Sequence, residues 1–441
     1  MEKTINVIGA GLAGCECSYI LAKHGYKVNL YEMKPKNFSP AHTNSNFAEL
    51  VCSNSLKSEE LTNACGLLKA EMNEMGSIIV EAALNSRVKA GAALAVDRDK
   101  FSEYITEKIK SEKNISIIYE EVTDITSMKG TIVIATGPLT SEKLSSSLSL
   151  ILGEEKLYFY DAAAPIVLAS SIDMSIAYEK DRWVEDKPGD YLNLPMTKEE
   201  YDRFYKELIN ARSAERHAFD KLENIEHFDG CMPVEALALK GEKTLLFGPL
   251  KPVGLRRDET HKPYAVVQLR AENELKTMYN LVGFQTSLAF PEQKRVFSLI
   301  PGLQNAEFVR YGVMHRNTYI NAPKLLDNTF KLKEKNIYFA GQISGVEGYV
   351  ESAASGMVVA YSIIYGKNIF KPTTMLGSLS KYISQENNNF QPMNANFGII
   401  EPLEKNIRDK KQKYEAYATR SMNDIKELKN ELKGVGWWYK K

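Results

Sequence analysis

A glycine-rich turn near the N-terminus constrains this chain more than any other feature. Residues 4–8, Thr-Ile-Asn-Val-Ile, read as a short buried strand that runs straight into Gly9-Ala10-Gly11-Leu12-Ala13-Gly14. Apolar and small residues then recur at helical spacing from Cys15 to His24, and Gly25 supplies the stop. Residues Lys27–Tyr31 form a second strand that ends on Glu32. Strand, glycine turn, helix, strand and terminal acid in this order predict a dinucleotide-binding α/β unit. Glycines allow a backbone to approach a pyrophosphate at a helix N-terminus, where free N–H groups and the helix dipole favour negative charge. A carboxylate at Glu32 accepts ribose hydroxyls and repels a 2′-phosphate, which favours FAD or NAD over NADP.

Two later segments distinguish these dinucleotides. Thr131-Ile-Val-Ile-Ala135-Thr136-Gly137-Pro138 is a strand ending in a small-residue turn, similar to the second nucleotide-proximal turn of two-dinucleotide flavoproteins. Asn336-Ile-Tyr-Phe-Ala-Gly341-Gln342-Ile-Ser-Gly345-Val346-Glu347-Gly348 is another strand with a glycine-rich turn, followed by an expected helix over Tyr349–Tyr365 whose N-terminus aims at the flavin phosphates. Glutathione-reductase-like proteins usually carry Asp where this chain has Gln342, so the resemblance is to a side branch of that group. With no second GxGxxG unit, the resident cofactor expected is FAD, and a nicotinamide reductant visits. The fold class that follows is α/β: a discontinuous Rossmann-like FAD-binding domain of the glutathione-reductase type with an inserted α+β domain. The expected boundaries are 1–157 and 326–372 for the two parts of the FAD domain, 158–325 for the insertion, and 373–441 for a C-terminal helical segment.

Between these markers, residues 60–85 carry apolar positions at helical spacing, a helical patch is expected near Lys198–Ala218, and residues Lys405–Leu432 read as a charged helix. Trp437-Trp438-Tyr439 follow, with docking on the body as the favoured reading and RNA contact as the alternative. Formal net charge is zero, from 56 Lys and Arg against 56 Asp and Glu, so a polyanionic partner needs a local basic patch. No apolar stretch is long enough to cross a bilayer, and the strand pattern beginning at once at the N-terminus leaves no room for a signal sequence; a cytoplasmic location is expected. The five cysteines are odd in number and widely spaced, which argues against a disulfide framework, and with only six His no structural metal site is expected.

Two of those cysteines stand apart. Cys52 lies in ELVCSNSLK and Cys231 in HFDGCMPVE; both fall in turns rich in small or turn-forming residues, where a thiol is accessible, whereas Cys15, Cys17 and Cys65 fall on helical apolar stripes that read as core. Arg256, Arg257, Arg270, Arg295, Arg310, His315 and Arg316 interleave with Tyr264, Phe297, Tyr311 and Tyr319, a composition that suits phosphate contact with base stacking or, equally, ion pairing within a domain.

The segments AELVCSNSLK, GLLKAEMNEMGS, ALAVDRDKFS, DGCMPVE, GFQTSL, EQKRVFSLIPGL, NAEFVRYGVMHRNTYINAP and FAGQISGVEGYVESAASG are similar to those of the folate- and FAD-dependent tRNA uracil-5-methyltransferases. These are a branch of the flavoproteins that also holds the larger wobble-uridine modification enzymes. Lys89 stands where the family usually has proline, and Asp258-Glu259-Thr260-His261 interrupts the basic segment. The resemblance implies methylation of carbon 5 of a uridine, U54 of the tRNA T loop, with the methylene taken from 5,10-methylenetetrahydrofolate and the hydride from FADH2 regenerated by NAD(P)H. It implies that Cys52 and Cys231 are both catalytic, with Cys231 favoured as nucleophile and Cys52 as acid/base, the order being open. Arg256, Arg257 and Arg316 are the candidates for holding RNA, and Tyr349 for one wall of a folate slot. No obligate protein partner is expected. Ribosomal RNA as target, a wobble-uridine enzyme, or a small-molecule flavin oxidoreductase with structural cysteines are the alternatives.

Overall fold

The computed structural model describes residues 4–153, 157–162, 164–184, 189–214, 232–257, 262–312, 314–387, 390–405 and 407–434, with the backbone alone at 157–162 and 314–316. Five parallel strands form the central sheet in the order Ile337–Phe339, Thr131–Ile134, Thr4–Ile8, Lys27–Glu32 and Ile115–Tyr119. Residues 5–8 of the middle strand are buried on both faces, as a parallel sheet requires, and the polar Asn6 among them donates to the Lys129 carbonyl at 3.0 Å. Ile8 is in register with Ile134, and Ile134 with Phe339. The three turns that follow these strands therefore leave the sheet side by side at its carboxyl edge, where ligands of open α/β sheets bind.

Helix Leu12–Lys23 lies against helix Tyr349–Tyr365 under this edge. Their approach depends on glycine: a Cβ on Gly356 would stand 2.3 Å from the Ala13 carbonyl oxygen, and one on Gly14 would stand 1.8 Å from the Gly9 carbonyl oxygen. The expected helix at Tyr349–Tyr365 is present with those bounds.

A second core forms around a six-stranded antiparallel sheet, ordered Tyr178–Glu179, Tyr191–Met196, Ala265–Ala271, Met278–Leu281, Ile166–Leu168 and Phe308–Arg310. Phe204, Phe284 and Phe297 fill it from one side. Strands Leu157–Ala162 and Met314–Tyr319 pair antiparallel as the chain enters and leaves this unit. The architecture is thus α/β, a Rossmann-like unit interrupted by an α+β one.

Three expected helices differ in extent. The periodic stretch 60–85 is two helices, Ala64–Glu74 and Ile78–Asn85, because Gly76 takes a left-handed φ of 85° and the Ser77 side chain caps the second helix by accepting the Val80 N–H. The helix begun at Lys198 by the Thr197–Glu200 capping box stops at Ile209; residues 215–218 of the expected stretch lie outside the described residues. The charged C-terminal helix runs Lys410–Gly434 and docks on Ala64–Glu74, where Ser421 donates to Glu71 and Lys429 pairs with Glu74 at 2.7 Å. Trp437-Trp438-Tyr439 lie outside the described residues. Among the described residues no helix is long and apolar enough to cross a membrane, and no group of three or more His, Cys, Asp or Glu is arranged to hold a metal ion.

Candidate functional site

The carboxyl edge of the parallel sheet opens into a cleft of about 1130 Å³. Three turns line it: Gly9, Ala10, Gly11, Leu12 and Ala13 from the first, Ala135, Thr136 and Gly137 from the second, and Gly341 and Gln342 from the third. Gly9 adopts φ of 99°, and a side chain there would meet the Ala135 carbonyl oxygen at 2.6 Å, so the first two turns are packed backbone to backbone. Gly11 is different, with no atom within 4 Å of a Cβ built on it. That open space at the N-terminus of helix Leu12–Lys23 leaves room for a phosphate group, whose charge the helix dipole would favour. Glu32 also lines the cleft, and its carboxylate accepts the Ala10 and Lys34 amides, each at 2.9 Å, which fastens the glycine turn to the second strand. The free lone pairs of its oxygens remain suited to ribose hydroxyls. These features fit FAD.

Gly14, Gly345, Val346, Glu347 and Gly348 are not among the residues that line the cleft. Gly14 lies inside the helix–turn contact described above. In the third turn Val346 forms a parallel bridge with Met393, tied by Glu347 N–H to Met393 O at 2.9 Å and by Met393 N–H to Gly345 O at 3.1 Å. Glu347 accepts a hydrogen bond from the side chain of Gln342, a cleft-lining residue.

The loop bearing Cys52 runs along the rim, with Val51 and Tyr349 in the cleft wall. Cys52 is half-buried. The hydroxyl of Tyr349 accepts the amides of Cys52 at 2.6 Å and Ser53 at 3.3 Å. Burial, with the Cys52 charge second, pushes the Tyr349 hydroxyl well above its ordinary value, so it stays neutral across the working pH range. Cys231 lies outside the described residues, as does the side chain of Arg316. Cys15, Cys17 and Cys65 are buried, and desolvation raises all three thiols, Cys65 to about 12.

The arginines do not form one described cluster. Arg256 and Arg257 are exposed on a loop fastened to the first strand of the six-stranded sheet, where Lys180 donates to the Arg256 carbonyl at 2.8 Å. The backbone of Arg316 follows the opposite edge strand, Phe308–Arg310. Arg295 is engaged with Glu207 and Glu292, and Phe297 and Tyr319 are core residues, so this part of the interleaved pattern records packing.

The family model described as "Glucose inhibited division protein A" matches residues 4–367. A Fusobacterium nucleatum protein named methylenetetrahydrofolate--tRNA-(uracil-5-)-methyltransferase TrmFO is 56% identical over 99% of this chain and 100% of its own length. Relatives of the same name from Acetivibrio thermocellus and Staphylococcus aureus are 57% and 53% identical, over 96% and 98% of this chain and 98% and 100% of their own lengths. The chain belongs to the TrmFO family. Aquifex aeolicus GidA in its form I crystal shares the fold, with a TM-score of 0.68 at 17% identity over 97% of this chain and 76% of that one.

Sequence reasoning passed over several residues of this TrmFO-family site. Lys34 lines the cleft and donates to the carbonyls of Asn44 and Asn46 at 3.0 and 2.6 Å, shaping the strand-to-loop return. Arg98 donates to the carbonyls of Leu50 at 2.6 Å and Cys52 at 3.3 Å, and it pairs with Glu272 at 2.6 Å. Arg310, one of the arginines the sequence singles out, is half-buried near it; burial, then the Arg98 charge, lowers its pKa. The signal for Arg98 was its position in ALAVDRDKFS, where a cation opens a helix against the helix dipole.

Proposed function

We propose that the chain methylates carbon 5 of a tRNA uridine, U54 of the T loop, taking the methylene group from 5,10-methylenetetrahydrofolate. The observation that carries this reading is the Cys52 loop, pinned by Tyr349 at the rim of a cleft whose glycine turns fit FAD. Bound FAD in its reduced form supplies a hydride, and NAD(P)H restores it.

Carbon 5 of uracil is a poor nucleophile until a group adds at carbon 6. A cysteine thiolate, Cys231 in our reading, forms a bond to carbon 6 and pushes the ring electrons onto carbon 5 and the adjacent carbonyl as an enolate. Carbon 5 then bonds to the one-carbon unit, which stays attached to one folate nitrogen. Cys52 removes the carbon-5 proton, and the freed electron pair expels that nitrogen to leave an exocyclic methylene while sulfur remains on carbon 6. A hydride added to the methylene completes the methyl group and returns electrons to the ring, which breaks the carbon 6–sulfur bond and frees the thiolate. Tyr349 fixes the Cys52 backbone while bounding the slot for the flat folate ring. The cleft-lining residues of the three turns and Glu32 hold the cofactor, and Arg256, Arg257 and Arg316 contact the RNA. A uridine in a folded loop must leave its stack to reach this rim, at a cost of roughly a few kcal/mol. The location that supplies tRNA, folate and NAD(P)H together is the cytoplasm.

Incubation of the flavin-loaded protein with methylenetetrahydrofolate, NADPH and unmodified tRNA, followed by nucleoside analysis, tests this. The expected product is 5-methyluridine in the T loop. Product formed without folate, or with S-adenosylmethionine in its place, overturns the mechanism, and product found only with ribosomal RNA overturns the target.

A further inference from the structure

The Cys52 loop is built by both cores. From the first, Arg98 donates to Leu50 O and Cys52 O. From the second, Arg270 on strand Ala265–Ala271 donates to Asn54 Oδ1 at 2.8 Å and to Ser53 Oγ at 2.7 Å. Asn54 is fully buried and bridges the two, donating to Val96 O and to Ala271 O, both at 3.0 Å. Glu272, one residue past that strand and also buried, receives the Arg98 fork at 2.6 and 3.3 Å.

This arrangement is costly for mere stability. A buried ion pair loses in desolvation about what it gains in attraction, and a cation in the first turn of helix Arg98–Ser111 opposes the helix dipole. Burial works against the Arg98 charge and Glu272 outweighs it, raising the pKa of a guanidinium that is cationic in any case. A planar fork that spans two carbonyls and one carboxylate specifies direction, which a point charge cannot do.

We propose that Arg98, locked by Glu272, and Arg270 are positioning residues that set Cys52 for its reaction, so that seating the second core on the first assembles the thiol site. This rests on the function given above for the catalytic assignment of Cys52. The geometric part, that the pair sets the presentation of the Cys52 thiol, stands independently of it.

The test uses the full-length, flavin-loaded chain carrying Glu272→Gln or Arg98→Lys. Four quantities are measured: flavin absorbance, Tm, kcat and KM for tRNA, and the iodoacetamide labelling rate of Cys52 across pH by peptide mapping. The expected result is retained flavin and KM, a fall in kcat of about 10–100-fold, and an altered Cys52 labelling profile. Wild-type kcat with a wild-type labelling profile in a folded Glu272→Gln protein overturns the proposal. If Glu272→Gln fails to fold, Arg98→Lys decides by the same criterion; if both fail to fold, the pair is a stability element and the proposal is wrong. A wild-type protein that makes no 5-methyluridine removes the functional reading, while the labelling profiles still judge the positioning.

Discussion

The Tyr349 hydroxyl accepts the Cys52 amide at 2.6 Å, joining the first residue of the helix behind the cleft to the loop at its rim. The two residues are 297 positions apart in the chain. Tyr349→Phe removes the acceptor for two amides, Cys52 and Ser53. Leaving them unpaired is expected to cost about 1–3 kcal/mol. Methyluridine formation should fall while flavin absorbance persists, which calorimetry and nucleoside analysis of the same preparation will show.

The proposed mechanism gives Cys52 and Cys231 separate but indispensable roles. Cys52→Ala and Cys231→Ala are each expected to keep the yellow colour and to lower kcat by about 10³-fold or more. A variant with full turnover removes that thiol from the mechanism.

Two glycines of the first turn should respond in opposite ways. Gly14→Ala forces a methyl group to within 1.8 Å of the Gly9 carbonyl oxygen, so the fold itself suffers, by about 3 kcal/mol. Gly11→Ala meets nothing in the protein and projects into open space, so the Tm of the flavin-free protein should hold while flavin retention drops. Thermal melts with and without added FAD separate the two.

Stability should also depend on pH through Glu16. This carboxyl is buried in helix Leu12–Lys23 with one oxygen accepting from Ser77 Oγ and the Ile79 amide, and the other unpartnered. Desolvation raises its pKa from 4.5 to about 8. Because the folded-state value exceeds the unfolded one, its contribution is full below pH 4.5 and is lost as pH rises toward about 8, at up to about 1.4 kcal/mol per pH unit. Glu16→Gln should flatten this part of the Tm-against-pH curve, measured by scanning calorimetry between pH 5 and 8.5.

Among the described cysteines, labelling should select Cys52. Burial raises the thiols of Cys15, Cys17 and Cys65, and all three are shielded by packing, whereas Cys52 is half-exposed. Limited iodoacetamide treatment of the native protein at pH 8, followed by peptide mapping, should find Cys52 modified well before those three.

The parts of this fold that were legible in the chain are those with local causes. The turn at Gly9–Gly14 and the helix Tyr349–Tyr365 are announced by neighbouring residues: glycines where φ must be positive or backbones must touch, and apolar residues at helical spacing. The break at Gly76-Ser77 escaped notice because apolar periodicity continues across it; one positive φ and one capping hydroxyl outweigh the pattern. Phe297 and Tyr319 illustrate the reverse error, since aromatics interleaved with arginines look the same in a chain whether they stack on bases or fill a core.

By itself, the sequence determined the α/β class, the three turns at the carboxyl edge of the sheet and the inventory of thiols, because periodicity and backbone conformation are set by residues within a few positions of one another. Only the tertiary structure decided that Arg98 would meet Glu272, 174 positions away, that Tyr349 would hold Cys52, and that Val346 would bridge to Met393. Such contacts arise where separately formed elements pack, and desolvation then selects which donor finds which acceptor. No local pattern in the chain encodes that choice.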